Sequence, residues 1–424
     1  MNPVTRAGPW CLHHGWRRCL LLGEEGPALQ QLLQSLREAN LSVQLLQPPL
    51  QRSFGPKLVD EVADEALDAE VVLAVGRGAM LDFAKAVACM VPLRGASPGR
   101  TGRAGLLRTE QFLLQTGGEM SREAATLLPG ASLPLLLAPS HATVAATSGR
   151  CLLRDAPGKA LVPLALAGPG PFGVGVGIQA TQVLADVSLT RHQSARGRTA
   201  AVAHAMSIFV DGAAAAGGTI KEKQLVDDMM VGLGSSFSAL RQPMDAEVDV
   251  LEAVLRAGVS AADADANARG ELCVVHALAS VLAGTRDVPF PLACRVLLPL
   301  VLRAWAEHSE LCEPQVTSLS AIASALLGTP QLSAATAATA LLRLADWIDG
   351  ACSAGGLAPQ LPTDAEECAA SAAALLAMHT EEAPVAQQRP RPSWVEPEAL
   401  TKIFRNALEE KGGALSGGDG WRLA

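Results

Sequence analysis

The first third of the chain alternates short apolar runs with longer segments in which apolar residues recur at helical spacing. The runs are Cys19 to Leu22, Ser42 to Leu46 and Val71 to Val75, and Leu133 to Ala138 follows after an irregular stretch. A helical pattern begins after each of the first three runs. Strands that alternate with helices of this length predict βαβ units. We therefore predict an α/β domain with an open, mostly parallel, Rossmann-like sheet.

The chain changes character after Asp186, where nearly every periodic segment has helical spacing. We predict an α/β domain over 1–190 and an all-α domain over 191–424. The predicted helices of the second domain are Thr199 to Ala216, Lys221 to Leu240, Ala246 to Ala257, Glu271 to Ala283, Ala334 to Ile348 and Glu398 to Glu410. Residues 92–132 are predicted to form a long irregular excursion, and 384–397, with four prolines, a linker or strap.

Composition limits the classes of function. Apolar residues make up 49% and charged residues 18%, which is enough for a large core, and a net charge of -8 argues against nucleic-acid binding. Nine cysteines without a CxxC pair favour a reducing compartment over a disulfide scaffold. No uninterrupted apolar stretch approaches the ~18–20 residues of a membrane span. We expect a cytoplasmic protein, with mitochondria or another organelle left open because the first 18 residues hold arginines and no acid.

A glycine turn, Gly76-Arg77-Gly78, separates the third apolar run from the helical segment that follows it. Such a turn directs backbone N–H groups and the positive end of the helix dipole at whatever lies above it, which suits a pyrophosphate. Glycine allows the close approach of the backbone that a side chain would block. The alternative is a tight βα turn that binds nothing.

The segment from Gly76 to Lys85 resembles the GGGSxxDxAK signature of the iron-containing alcohol dehydrogenases, relatives of glycerol dehydrogenase and dehydroquinate synthase. Further segments resemble those of this family in the same order, over about residues 16 to 310. They are Leu137 to Thr147 (PTTAGTGSE in the family), Ala185 to Thr190 (DPxLT), His204 to Phe209 (HAIEAY), Val274 to Ser280 (LVHALAH) and Val288 to Pro291 (VPHG).

The resemblance implies hydride transfer between NAD(P) and an alcohol or aldehyde, aided by a divalent metal, iron or zinc, in a homo-oligomer. It also implies a set of cofactor-binding residues at the turn and after the fourth run: Gly76, Arg77, Gly78, Ala79, Asp82, Ser140 and Thr143. Glu24 stands where the family often has an acid after the first strand. An acid there can bond a ribose 2′-hydroxyl and repel a 2′-phosphate, which favours NAD over NADP. Lys159 is a candidate for the nicotinamide side.

The metal site is where this sequence departs from the family. The family's ligands are an aspartate, a histidine four residues later on the same helical face, and two further histidines. Here the positions hold Ala200, His204, His276 and Phe290, so two of the four ligands remain. The family's further histidine of LVHALAH is Ser280.

Several interpretations of this departure stay open. His204 and His276 form a residual metal site, or they are buried helix residues inherited from an active ancestor. The chain has a rebuilt, metal-free active site, as in family members similar to maleylacetate reductase, with His141 as a substitute proton donor. Alternatively it is a catalytically inactive nucleotide-binding or structural partner subunit. A dehydroquinate-synthase-like lyase is a further reading, for which we place no phosphate-binding residues.

Overall fold

The computed structural model divides into two compact units, each described by itself. Met1–Ser194 and Ser238–Glu271 form the first, here the α/β unit, and Ala195–Phe237 and Leu272–Ala424 form the second, the helical unit. The residues that the structure describes are 3–48, 54–95, 108–112, 132–148, 151–154, 158–163, 180–191, 193–215, 251–252, 254–255, 274–307, 337–352, 365–381 and 397–409.

The α/β unit contains a five-stranded parallel sheet with the strand order β2-β1-β3-β4-β7, and an antiparallel pair, β5 with β6. The strands are β1 (Arg18–Gly23), β2 (Ser42–Leu46), β3 (Val71–Gly76), β4 (Leu135–Pro139), β5 (Leu152–Arg154), β6 (Leu161–Pro163) and β7 (Gln182–Val183). The helices are α1 (Ala7–His13), α2 (Pro27–Glu38), α3 (Pro56–Glu65), α4 (Gly78–Gly95) and α5 (Val187–Thr190).

Both faces of the sheet are buried because alternate side chains of each strand enter different cores. Leu20 and Val72 belong to the core that includes α3 and α4. Leu21 and Leu73 belong to the core that includes α1 and α2. This double burial explains why the central strands are continuous apolar runs. The structure thereby confirms the predicted parallel α/β fold.

The described part of the helical unit consists of six long helices. They are α6 (Ala195–Ala215), α7 (Val274–Arg286), α8 (Phe290–Glu307), α9 (Ala337–Cys352), α10 (Ala365–Glu381) and α11 (Pro397–Glu409). Helix α8 is deeply buried, with side chains from Leu292 to Leu302 below a tenth exposed. The prediction of an all-α C-terminal part is confirmed for the described helices. Among the described residues, no helix is long and apolar enough to cross a membrane.

The N-terminal segment and residues 238–271 also belong to the α/β unit. The segment before β1 forms a 3₁₀ turn and α1, which pack on α2. Within this unit, the Thr147 hydroxyl donates a hydrogen bond at 2.9 Å to the carbonyl of Leu255, which lies in the segment 238–271. The predicted helix Lys221 to Leu240, most of Ala246 to Ala257, most of 92–132 and nearly all of 384–397 lie outside the described residues.

Candidate functional site

The glycine turn lies at the carboxyl edge of the parallel sheet, between the ends of β1 and β4. Gly76 ends β3, and α4 begins at Gly78. The Ser140 N–H donates to the Gly76 carbonyl at 2.9 Å, and the Glu24 N–H donates to the Val75 carbonyl at 3.3 Å. The first residues after three neighbouring strands are therefore brought together where open α/β sheets bind their ligands.

Glu24 and Arg77 form an ion pair at this edge. Arg77 Nε lies 3.2 Å from Glu24 Oε2, and the Arg77 backbone N–H donates to Glu24 Oε1 at 3.4 Å. The Glu24 side chain is 17% exposed and that of Arg77 41% exposed. The negative charge of Glu24, which we expect to meet a ribose, is thus compensated by Arg77 from the turn after the neighbouring strand β3. Nothing in the spacing of the two residues indicated this pairing.

Gly78 lies against the loop after β4. A Cβ placed on Gly78 would lie 3.1 Å from Thr143 Oγ1. That hydroxyl also accepts a hydrogen bond from the Ala145 N–H at 3.3 Å, which holds it at the start of a short 3₁₀ turn. Ala79 follows Gly78 in the first turn of α4 and packs against the core. Glycine at position 78 therefore allows this close approach without displacing the Thr143 hydroxyl.

Ser140 and His141 complete this edge. The Ser140 hydroxyl lies 3.1 Å from His141 Nδ1. Burial, together with the positive charge of Arg77, lowers the pKa of His141, and Glu24 acts in the opposite direction. At neutral pH the imidazole is therefore uncharged, and its role as a proton donor remains a prediction.

Asp82 lies one turn into α4 and faces inward. Its Oδ1 is 3.2 Å from Nζ of Lys85, whose side chain is fully buried, and the Cys151 thiol donates to the Asp82 carbonyl at 3.0 Å. Burial raises the pKa of Asp82 to about 6 although the Lys85 charge opposes this. The contacts that the structure gives Asp82 are internal to the unit. Lys159, by contrast, is exposed in the connection between β5 and β6.

His204 and His276 come together in the helical unit, from α6 and α7. Their rings are 5.5 Å apart between centroids, and both side chains are buried. Phe290, the first residue of α8, contacts both: its ring is stacked with His276 at 5.8 Å and edge-on to His204 at 5.0 Å. The phenyl ring thus stands beside the two imidazoles that the resemblance implies as metal ligands.

Cys294 is the residue of this cluster that the sequence analysis missed. It lies on α8 one helical turn after Phe290 and is fully buried. One ligand atom each from His204, His276 and Cys294 lie within 4.8 Å of one another. The signal available in the sequence is the i, i+4 spacing from Phe290, which places Cys294 on the same face of the helix.

Comparison with known proteins identifies the fold. No protein-family model matches the chain, and no curated protein sequence matches it. Solved structures do match over nearly the whole chain. A halo-thermophilic archaeal alcohol dehydrogenase from a Red Sea brine pool has a TM-score of 0.74 at 16% identity, covering 96% of this chain and 95% of that one.

Two further structures agree with it. The NADH-dependent butanol dehydrogenase A of Thermotoga maritima has a TM-score of 0.68 at 14% identity, covering 95% and 94% of the two chains. The iron-containing alcohol dehydrogenase of Thermococcus thioreducens has a TM-score of 0.68 at 15% identity and covers 96% of each. The chain therefore has the fold of the iron-containing alcohol dehydrogenases.

Proposed function

We propose that this chain is an NAD(P)-binding oxidoreductase of the iron-type alcohol dehydrogenase family, which transfers hydride between the cofactor and a small alcohol or aldehyde. The observation that carries the proposal is the glycine turn at the carboxyl edge of the sheet, where Gly78 approaches Thr143 closely. The ordered family-like segments and the shared fold support it. By the same resemblance, we propose a homo-oligomer, which light scattering would test.

The residues of the turn have distinct parts in this proposal. Backbone N–H groups at Gly78 and Ala79 bind the pyrophosphate at the start of α4. Glu24 and Arg77 meet the adenosine ribose, where the acid accepts from hydroxyls and the cation faces any 2′-phosphate. Ser140 and Thr143 border the same space from the loop after β4.

The family's metal set does not fit the residues present. Ala200 offers no donor atom, and Phe290 places an apolar ring against the two histidines. We therefore derive no step of the reaction from a metal held by that set. This departure also favours a second candidate, a nucleotide-binding partner subunit without catalysis.

Calorimetric titration of NAD and NADP into the purified protein tests the proposal. We expect binding of at least one nucleotide, and about tenfold or greater weakening in Gly78→Val, because the added side chain would crowd Thr143 Oγ1 and displace the turn that carries the N–H groups. Gly350→Ala is the control, since a Cβ at Gly350 on α9 has open space around it. Absence of binding by either nucleotide would contradict the proposal.

Turnover separates the two candidates. Cofactor reduction or oxidation is followed by absorbance at neutral pH with a panel of small alcohols and aldehydes, with and without added zinc or ferrous iron. Turnover with any substrate supports the oxidoreductase. Tight nucleotide binding without turnover across the panel supports the partner subunit instead.

A further inference from the structure

We propose that His204, His276 and Cys294 form a zinc-binding site with a ligand set of two imidazoles and one thiolate. This set differs from the one that the family resemblance implies, because it draws on a cysteine that has no counterpart there. The proposal concerns metal binding by the helical unit and does not require the oxidoreductase activity proposed above.

The distances between the donor atoms fit a single small ion. Zinc binds imidazole nitrogen at ~2.0–2.1 Å and thiolate sulfur at ~2.3 Å, so ligand atoms around one tetrahedral ion lie roughly 3.3–3.7 Å apart. The three donor atoms already lie within 4.8 Å of one another. Closing the difference requires donor atoms to move by about 1 Å, a displacement within the reach of side-chain rotation.

The register of α8 explains how a cysteine can replace the lost ligand. Phe290 stands at the family position of the fourth ligand, and Cys294 is one helical turn further on the same face. The helix therefore still presents a donor toward His204 and His276, from the next turn. The Cys294 side chain therefore reaches the same two histidines that the Phe290 ring contacts.

The chemistry of the donor set selects the metal. Thiolate together with imidazole suits zinc, whereas magnesium and calcium prefer oxygen ligands. Three protein ligands with a fourth position left open are typical of zinc sites that bind a further small ligand. The cluster is also shielded from water, since His276 is 3% exposed and Cys294 fully buried.

Ser207 provides the supporting contact that metal-binding histidines usually have. Its hydroxyl donates to the His204 carbonyl at 2.7 Å, so its oxygen can accept from the His276 ring, whose Nε2 is 3.4 Å away. A ring nitrogen held as N–H in this way leaves the other nitrogen with the lone pair. Ser207 thus fixes the orientation of one ligand from the helix that carries another.

Cobalt(II), used as a spectroscopic substitute for zinc, tests the site directly. We expect the metal-free full-length protein to bind one cobalt per chain, with intense visible bands of tetrahedral geometry and a near-ultraviolet thiolate-to-cobalt band. Zinc should displace the cobalt stoichiometrically. Failure to bind either ion, or cobalt binding without the thiolate band, would overturn the proposal.

Variants assign the band to one thiol. Cys294→Ser should remove the thiolate band and weaken zinc binding by more than the ~10–100-fold that loss of a supporting contact costs. Cys368→Ser is the matched control, because Cys368 is a buried cysteine of the same unit outside the cluster, and its spectrum should match wild type. A band that survives in Cys294→Ser would overturn the proposal.

Two further measurements keep the outcome decisive. If Cys294→Ser does not fold, Cys294→Ala and His276→Gln replace it, with circular dichroism as the criterion of folding and the same band and zinc affinity as readouts. Nucleotide binding is measured by calorimetry on the same samples. For the wild-type protein, failure to bind metal with nucleotide binding intact contradicts this site alone, and metal binding without nucleotide binding contradicts only the proposed function.

Discussion

At the scale of single residues, the ion pair between Glu24 and Arg77 changes the preference between NAD and NADP that either residue alone would indicate. Glu24 alone indicates NAD, because a carboxylate repels a 2′-phosphate. In the structure Arg77 lies 3.2 Å away and compensates that charge. A guanidinium beside the ribose site is also the group that binds a 2′-phosphate well. If the pair meets the ribose as proposed, we therefore expect NADP to be accepted at a site that the acid alone would restrict to NAD.

Removing Arg77 and removing Glu24 should shift the preference between NAD and NADP in opposite directions. In Arg77→Gly we expect the affinity for NADP to fall about tenfold relative to NAD, because Glu24 is left uncompensated. In Glu24→Gln we expect the preference to shift toward NADP. Calorimetric Kd values for both nucleotides measure the ratio, and an unchanged ratio in both variants would show that the pair does not contact the ribose.

Asp82 should leave a trace in the pH dependence of stability. Its pKa is raised to about 6 in the folded protein, against ~3.9 for an unperturbed aspartate. Between these values the folded state holds a proton that the unfolded state has released. The contribution of Asp82 to the free energy of unfolding is thus fully present below pH ~4 and is lost as the pH rises to about 6.

Urea unfolding at several pH values checks this. Asp82 should cause part of the decrease in the free energy of unfolding between pH ~4 and ~6, and we expect that part to be absent in Asp82→Asn. The variant also removes the carboxylate that pairs with Lys85, so its stability is expected to be lower overall. The difference in slope is the readout, and parallel curves for variant and wild type would contradict the raised pKa.

At the scale of elements, the N-terminal helix α1 is held by a close approach to α2. The Gly8 N–H donates to Ser35 Oγ at 3.0 Å, and the Ser35 hydroxyl donates to the Thr5 carbonyl at 2.8 Å. A Cβ on Gly8 would lie 2.1 Å from the Ser35 carbonyl oxygen, a distance that real atoms do not adopt. Gly8 thus sets how near the two helices can lie.

Gly8→Ala should therefore lower the free energy of unfolding by about 1–3 kcal/mol, because the added methyl forces α1 away from α2. The higher helix propensity of alanine opposes this by at most ~1 kcal/mol. Gly26→Ala is the control, since its Cβ meets open space. Chemical denaturation measures both, and equal stability of the two variants would contradict the close packing.

At the scale of the whole molecule, the two candidate sites are built from different units. Glu24, Gly78 and Thr143 belong to the α/β unit, and the His204, His276 and Cys294 cluster belongs to the helical unit. Each set of contacts described above is complete within its own unit. The two sites can therefore be tested separately.

Nucleotide and metal binding should respond to different variants. We expect Cys294→Ser to leave the Kd of NAD within about twofold of wild type, because the contacts described for the turn lie within the α/β unit and Cys294 belongs to the helical unit. Likewise Arg77→Gly should leave the cobalt spectrum unchanged. Calorimetry and absorbance on the same preparations measure both, and a joint loss of both ligands in either variant would contradict this independence.

Local patterns in the sequence determine the elements and their order. Apolar runs buried on two sheet faces, helical periodicity and the glycine turn depend on residues close together in the chain, so they predict the parallel sheet, the helical part and the place of the nucleotide site. The family resemblance additionally identifies His204 and His276 as the residues at two of the family's metal-ligand positions.

Only the tertiary structure decides which side chains meet. Glu24 and Arg77 are 53 residues apart, and they pair because β1 and β3 are neighbours in the sheet. Cys294 joins His204 and His276 because three separate helices converge on one buried point. Contacts of this kind depend on how elements pack, and no spacing within one element encodes them.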